Sequence, residues 1–205
     1  MTVFSFTPTS YDGMYKLVPT QGSPFFVRKE YLPSNIDFDQ IQKDATYTDD
    51  QTSFFLDAGL ACVVELKAIE YLARSEQCRF GLKNKLLKKG FNEQYITLAL
   101  DFLEAKNYLS DARFSSAWLN SRKINHYEGR SRLLQELLSR GISKDVAMSA
   151  IDEFFLENDE NEICTKACEK YIKKGKTDQK LIQSLFQSGF TYKMIKQCLA
   201  QLQSD

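Results

Sequence analysis

The chain has no long apolar run: none of its 205 residues sits in a stretch approaching the roughly 18 apolar positions of a membrane-spanning helix. Its opening, MTVFSFTPTSYDG, lacks the basic segment, apolar core and small-residue cleavage site of a secretory leader, so none is expected. Histidine occurs once, at His126, without a nucleophile and acid arranged around it. HExxH, GxSxG and a glycine-rich phosphate loop ending in Lys-Ser/Thr are all missing. The acid pairs Asp152-Glu153 and Asp159-Glu160 lie on amphipathic or linking segments, where solvation is the default. The expectation is a protein that is not an enzyme and holds no cofactor.

Cysteine is also used sparsely. The five thiols, at positions 62, 78, 164, 168 and 198, are odd in number and scattered, which is no disulfide framework. Cys164 and Cys168 stand one helical turn apart and could offer two thiolates to a metal. Further ligands would be needed, and His126 is distant in sequence. Buried free thiols, no metal and a cytoplasmic location are expected.

Net charge is zero, with 43% apolar and 26% charged residues, ordinary for a soluble protein. The charge is unevenly spread. Residues 1–66 carry four Lys/Arg against nine Asp/Glu, a net −5, and the remainder carries +5. An acidic head therefore precedes a mildly basic body, an asymmetry that suits a mosaic or polyanionic partner without requiring one.

What the chain has in abundance is a pattern stated three times: KLLKKGFNEQYITLALDFL (85–103), ELLSRGISKDVAMSAIDEF (136–154) and SLFQSGFTYKMIKQCLAQL (184–202). Aligned on Gly90, Gly141 and Gly189, each copy has Leu86, Leu137 or Leu185 four residues earlier. Phe91, Ile142 or Phe190 follows the glycine, and then Asn92, Ser143 or Thr191. Glycine tolerates the left-handed conformation that ends a helix, and Asn, Ser or Thr caps the next one. Leucines and other apolar residues three and four apart draw one buried stripe per helix. With an earlier helix before each pair, the unit is a three-helix repeat of roughly 45–55 residues.

The fold expected is mainly α: tandem three-helix repeats in a curved, elongated array, with a small N-terminal β-hairpin region. The divisions are a head at 1–53 and repeats at 54–107, 108–157 and 158–205. In the head, Tyr15–Val18 and Phe25–Arg28 read as a two-stranded hairpin that packs on the first helix or stays mobile, with a short helix near Phe38–Ile41. The first long helix runs from about Phe54 to Arg74, with Leu66, Ile69, Tyr71 and Leu72 on its buried side. Ser75 is placed as cap of the second helix, Ser110 or Asp111 of the fourth, and Thr177 or Asp178 of the eighth. The acidic stretch 157–162 links the last two repeats.

One run is more specific. Leu109-Ser110-Asp111, Phe114, Arg122, Gly129, Arg132-Leu133, Glu136-Leu137 and Arg140-Gly141-Ile142 follow the order L-x-D, aromatic, R, then G-x-x-R-[IL]-x-x-E-L-x-x-[KR]-G-[IV]. This resembles the RecX family of bacterial recombination regulators over about residues 11–203, most firmly 68–154. Gly81 stands where relatives often carry Glu, and the third copy matches mainly by its glycine and leucines.

The resemblance implies a non-enzymatic modulator of the RecA recombinase, a monomer lying in the groove of the RecA–DNA filament and restraining ATPase, strand exchange or growth. It implies contact with single- or double-stranded DNA together with RecA, and no membrane. Candidate contacts are the exposed cations: Lys83, Lys85, Lys88 and Lys89 in repeat one; Arg122, Lys123, Arg130, Arg132 and Arg140 in repeat two; Lys173, Lys174 and Lys176 in repeat three. Arg140 also suits a last helical turn, where the macrodipole favours a cation. Trp118, Phe114, Phe102, Phe154 and Phe155 fall among leucines as core residues, while one face of Tyr11, Tyr15, Phe25 and Phe26 is left for a partner. The alternatives are a DNA-binding protein using helix-turn-helix-like repeats and a helical scaffold for protein interaction.

Overall fold

The computed structural model describes residues 1–124 and 126–202. It divides into two compact units: Met1–Ser75 with Leu82–Leu109, and Glu76–Gly81 with the chain from Ser110 onward.

The first unit opens with a three-stranded antiparallel sheet, β1 (Val3–Pro8), β2 (Met14–Pro19) and β3 (Phe25–Arg28), in the order β1-β2-β3. The expected hairpin is β2–β3, with Tyr15 opposite Val27 and Leu17 opposite Phe25. The expectation of two strands was one short. β1 adds the strand a lone ribbon needs for stability, burying Val3 and stacking Phe6 on Tyr15 at 4.8 Å between ring centroids. A single 3-10 turn at Phe38–Gln40 puts Phe38 edge-on to both rings.

Helix α1 (Asp49–Leu72) begins five residues earlier than expected, because Thr48 and Gln51 form a reciprocal capping box. The centre of its buried face is made of small residues, Ala58, Gly59, Ala61 and Ala68 among them; Leu66, Ile69, Tyr71 and Leu72 are partly buried at its margin. Small side chains let the sheet approach closely. A Cβ on Gly59 would stand 2.9 Å from the Phe25 ring. The ribbon therefore packs on the first helix.

Within this interface lies a buried ion pair that the sequence reading missed. Arg28 donates from both Nε and Nη2 to the two carboxylate oxygens of Glu65, at 2.9 and 2.7 Å, and from Nη1 to the Asp12 carbonyl at 2.6 Å. Tyr31 donates its hydroxyl to Glu65, and the guanidinium lies over the Phe102 ring. Burial opposes the Arg28 charge, but the bonds and charge of Glu65 prevail and raise its pKa. Burial, and then the Glu65 carboxylate, pushes the Tyr31 hydroxyl far up, so it stays a donor.

The remaining helices are α2 (Arg79–Lys88), α3 (Glu93–Ala105), α4 (Asp111–Lys123), α5 (Arg130–Ser139), α6 (Lys144–Glu157), α7 (Glu160–Lys173), α8 (Asp178–Gln187) and α9 (Tyr192–Leu202). Asn92, Ser110 and Ser143 cap α3, α4 and α6 as expected. Ser75 does not cap α2, which starts four residues later. The Arg79 amide instead donates to the Asp111 carboxylate at 2.8 Å, so Ser110 serves α4 and Asp111 serves α2. Thr177 occupies the cap position of α8 without a side-chain bond. The acidic linker shrinks to Asn158 and Asp159, because Glu160 and Glu162 form the first turn of α7, where the helix dipole favours acids.

Gly90, Gly141 and Gly189 all take positive φ, at 85°, 79° and 93°. In each turn the next residue's amide closes back five residues: Phe91 to Leu86, Ile142 to Leu137, Phe190 to Leu185. That bond explains the recurrent leucine four before the glycine and the apolar residue after it.

Two of these turns are also seams. Cys78 and Gly129 each stand twelve residues before their own repeat's glycine. The Gly129 amide donates to the Ser188 carbonyl at 2.8 Å, and the Cys78 thiol to the Arg140 carbonyl at 3.4 Å. In both cases the acceptor is the residue just before the following repeat's glycine. A Cβ on Gly189 would lie 2.4 Å from the Arg132 nitrogen, and one on Gly141 would lie 2.5 Å from Phe80 Cβ. Around Gly90 nothing lies within 4 Å.

Two outcomes follow. Gly90→Ala should cost about 1–2 kcal/mol from backbone strain alone. Gly141→Ala and Gly189→Ala should lose roughly 1–3 kcal/mol more from overpacking, with Gly141→Val worse still; equal urea midpoints for all three alanines would contradict the seams. Glu65→Ala should cost about 3–5 kcal/mol by stranding a buried guanidinium, while the double change Arg28→Met with Glu65→Leu should recover most of it.

Candidate functional site

Repeat two sets its arginines against acids. Glu128 precedes α5, and Arg132, Glu136 and the C-cap residue Arg140 follow at intervals of four residues, so all lie along one face of the helix. Arg122 on α4 grips Glu128 with two bonds of 3.0 and 2.7 Å. Arg132 pairs with Glu136 at 2.6 Å and reaches Glu128 at 4.0 Å; Arg140 meets Glu136 at 2.7 Å. Trp118 supplies a ring under Arg122 and Arg140, at 5.3 and 4.7 Å, while packing on the repeat-two core. Three of the expected cations thus converge on two acids and one indole. The hydrogen bond from Arg140, and then the charges of Arg132 and Arg140, hold Glu136 below the ordinary carboxylate range. Such partly exposed pairs contribute about 0–1 kcal/mol each, so they arrange the surface more than they stabilise it.

Arg130 is tied elsewhere. It bonds Asp152, lies 3.3 Å from Glu160, and covers the Phe155 ring at 4.7 Å, joining α5 to the end of α6 and the start of α7. In repeat one, Lys83 pairs with Glu93 and Lys85 lies over Tyr71, while Lys88 and Lys89 are exposed. Lys176 donates to Ser184 at 2.7 Å over the Tyr171 ring. Lys123, Lys173 and Lys174 are exposed, with no ion-pair partner among the described residues. Of the ribbon aromatics, Tyr15 and Phe25 are committed to internal packing and Tyr11 is exposed.

Beside the arginine cluster a cleft of about 940 Å³ runs between the end of α4 and the start of α7, with Arg122, Lys123, His126, Tyr127 and Lys166 on its wall. His126 is exposed there. Among the described residues no group of three or more His, Cys, Asp or Glu could hold a metal. No helix among them is long and apolar enough to cross a membrane.

All five cysteines are free and buried. Cys198, on α9, joins Cys164 and Cys168 in the core of repeat three, a meeting that sequence spacing did not reveal. Burial, reinforced by neighbouring Cys198, pushes Cys164 and Cys168 up to about 12, and burial pushes Cys62 to about 12. Protonated, packed thiols are the result. The helices that follow the glycine turns expose acids, Glu93 and Asp101 on α3 and Asp145, Asp152 and Glu153 on α6, which does not suit insertion into a DNA groove.

The first three-helix domain model of RecX matches residues 66–103, and the second matches 110–151. The "Regulatory protein RecX" of Treponema pallidum is 34% identical over 153 residues, covering 75% of this chain and 93% of the relative. That of Haemophilus influenzae is 35% identical over 147 residues, covering 67% and 93%. A crystal structure of a regulatory protein RecX superposes with a TM-score of 0.74 at 18% identity over 96% of this chain and 98% of that one, and RecX from Lactobacillus salivarius gives 0.61 at 19% over 71% and 98%. At those identities the structures speak for the fold.

The thiols set an alkaline limit. The folded pKa values of Cys62, Cys164 and Cys168 lie above the ordinary 9.0, so their contribution to stability is intact below about pH 9 and is lost as pH climbs toward 12. Melting temperature should fall across that window, and a thiol reagent at pH 8 should label the native protein far more slowly than the unfolded chain. Rapid native labelling of all five would contradict their burial.

Proposed function

The chain belongs to the RecX family, and we propose that it acts as a non-enzymatic modulator of the RecA recombinase, binding the RecA–DNA filament and restraining its ATPase. The observation that carries this reading is the match of both three-helix domain models in tandem, together with relatives named as regulatory proteins. Residues 1–53 are read as a head and 54–107, 108–157 and 158–205 as its three repeats.

The repeated seam supports the reading physically. Repeats two and three, joined through the Gly129–Ser188 contact, carry equivalent glycine turns, and a repeated unit suits a partner that is itself a polymer of identical protomers. A groove lined by both protein acids and DNA phosphates is met by dispersed cations and does not demand a high net charge. The proposed species is a cytoplasmic monomer in contact with RecA and with the DNA that RecA holds.

The test is RecA-dependent ATP hydrolysis on single-stranded DNA. Substoichiometric protein should lower the steady-state rate, and more so when added during filament growth. An unchanged rate at equimolar protein would overturn the proposal. Charge removal is better made as Arg132→Gln than as reversal, because a glutamate there would face Glu128 and Glu136.

A further inference from the structure

We infer that the hollow between the β1–β2 turn and the C-terminal ends of α1 and α3 is a binding site for a small planar aromatic molecule bearing one carboxylate. It encloses about 410 Å³, inside the roughly 300–1,000 Å³ range of small-molecule sites. Ile69 and Leu72 of α1 and the rings of Phe102, Tyr11 and Tyr108 make its walls, and the Arg28–Glu65 pair lines it as well. Tyr11 and Arg28 belong to the head, which repeats two and three lack. The hollow is therefore no feature of the repeat and stands apart from the filament reading.

The polar groups select the ligand. A buried ion pair gains little over apolar residues of the same volume, so stability alone does not explain why Arg28 and Glu65 stand here, 4% and 1% exposed. Glu65 is spent, since both its oxygens accept from Arg28 and one accepts from Tyr31 as well. Arg28 is not. Of the five N–H groups of a guanidinium, three are used, two on Glu65 and one on the Asp12 carbonyl. One N–H remains on each terminal nitrogen. A carboxylate, with two oxygens in one plane, is the acceptor that such a fork matches.

Lys106, half-exposed and 4.0 Å from Glu30, lines the same hollow and adds a second cation. Asp12, exposed, is the opposing acid. With Arg28 set against Glu65 and Lys106 against Asp12, the hollow has no surplus of cations for a phosphate or a dianion. A single carboxylate needs only the donors left on Arg28 and Lys106. The body of the ligand follows from the walls, because aromatic rings favour a flat partner that packs offset or edge-on.

The experiment is isothermal titration calorimetry of the purified full chain, without RecA or DNA, using indole-3-propionate as the probe. Wild type should bind it. Indole, which lacks the carboxylate arm, should bind at least about tenfold more weakly, the worth of hydrogen bonds to a charged group. Tryptamine, with an ammonium in place of the carboxylate, should be weaker by a similar factor. Lys106→Gln should weaken the probe about two- to fivefold, as loss of an exposed charge pair does. Asp12→Asn should leave its affinity unchanged or tighten it. Ala73→Phe, at the exposed C-cap of α1 on the wall of the hollow, should fill it and abolish binding, while thermal melts show all three variants folded as wild type.

The proposal is overturned if wild type does not bind the probe, if indole or tryptamine binds as tightly, if Asp12→Asn weakens binding, or if Ala73→Phe binds as wild type. A chain that restrains RecA ATPase yet ignores the probe would overturn this site and leave the proposed function standing.

Discussion

A Cβ at residue 141 or 189 would crowd Phe80 or the Arg132 backbone, and the second unit is built on that constraint. A helix end leaves carbonyls without partners, and here they are satisfied twice over. The residue after the glycine turns its amide back to a leucine, closing the turn locally. The carbonyl of the residue before the glycine then receives the preceding repeat, through Gly129 in one seam and Cys78 in the other. The left-handed glycine is needed for the first bond; its missing Cβ is needed for the second. One residue type therefore governs both how each hairpin ends and how closely the next can dock.

Gly90 separates the two roles. It has the same positive φ and the same closing bond as its counterparts, with open space where a Cβ would point. Its turn is needed for the hairpin alone. The difference is invisible in the repeat pattern, where the three glycines look equivalent.

That contrast indicates what the sequence could reveal. The glycine turns, their leucines and the caps at Asn92, Ser110 and Ser143 all depend on residues within six positions of one another, so spacing alone exposes them. The Arg79–Asp111 cap joins residues 32 apart, and Arg28–Glu65 joins residues 37 apart. No local pattern marks either. β1 was missed although it matches β2 in length and, like it, ends in proline. The centre of the α1 face was missed because Ala and Gly give a weak apolar signal while allowing close packing. At the surface all twelve candidate cations were legible, but their partners were not. Glu128 and Glu136 read as ordinary solvated acids until the fold set them against Arg122, Arg132 and Arg140.

A net charge of zero therefore says little about where a polyanion could bind, because exposed charges are screened within about 8 Å at physiological salt. What matters is pairing on that scale, and there repeats two and three diverge on a shared backbone plan. Repeat two uses arginine, whose planar fork matches a carboxylate and whose face can lie on Trp118 or Phe155; its cations are held by its own acids and rings. Repeat three uses lysine, a hydrated point charge on a flexible stem that adapts to a moving phosphate chain but makes a poorer fixed bracket. The choice of cation is thus itself informative. Arginine marks where this surface is held to itself.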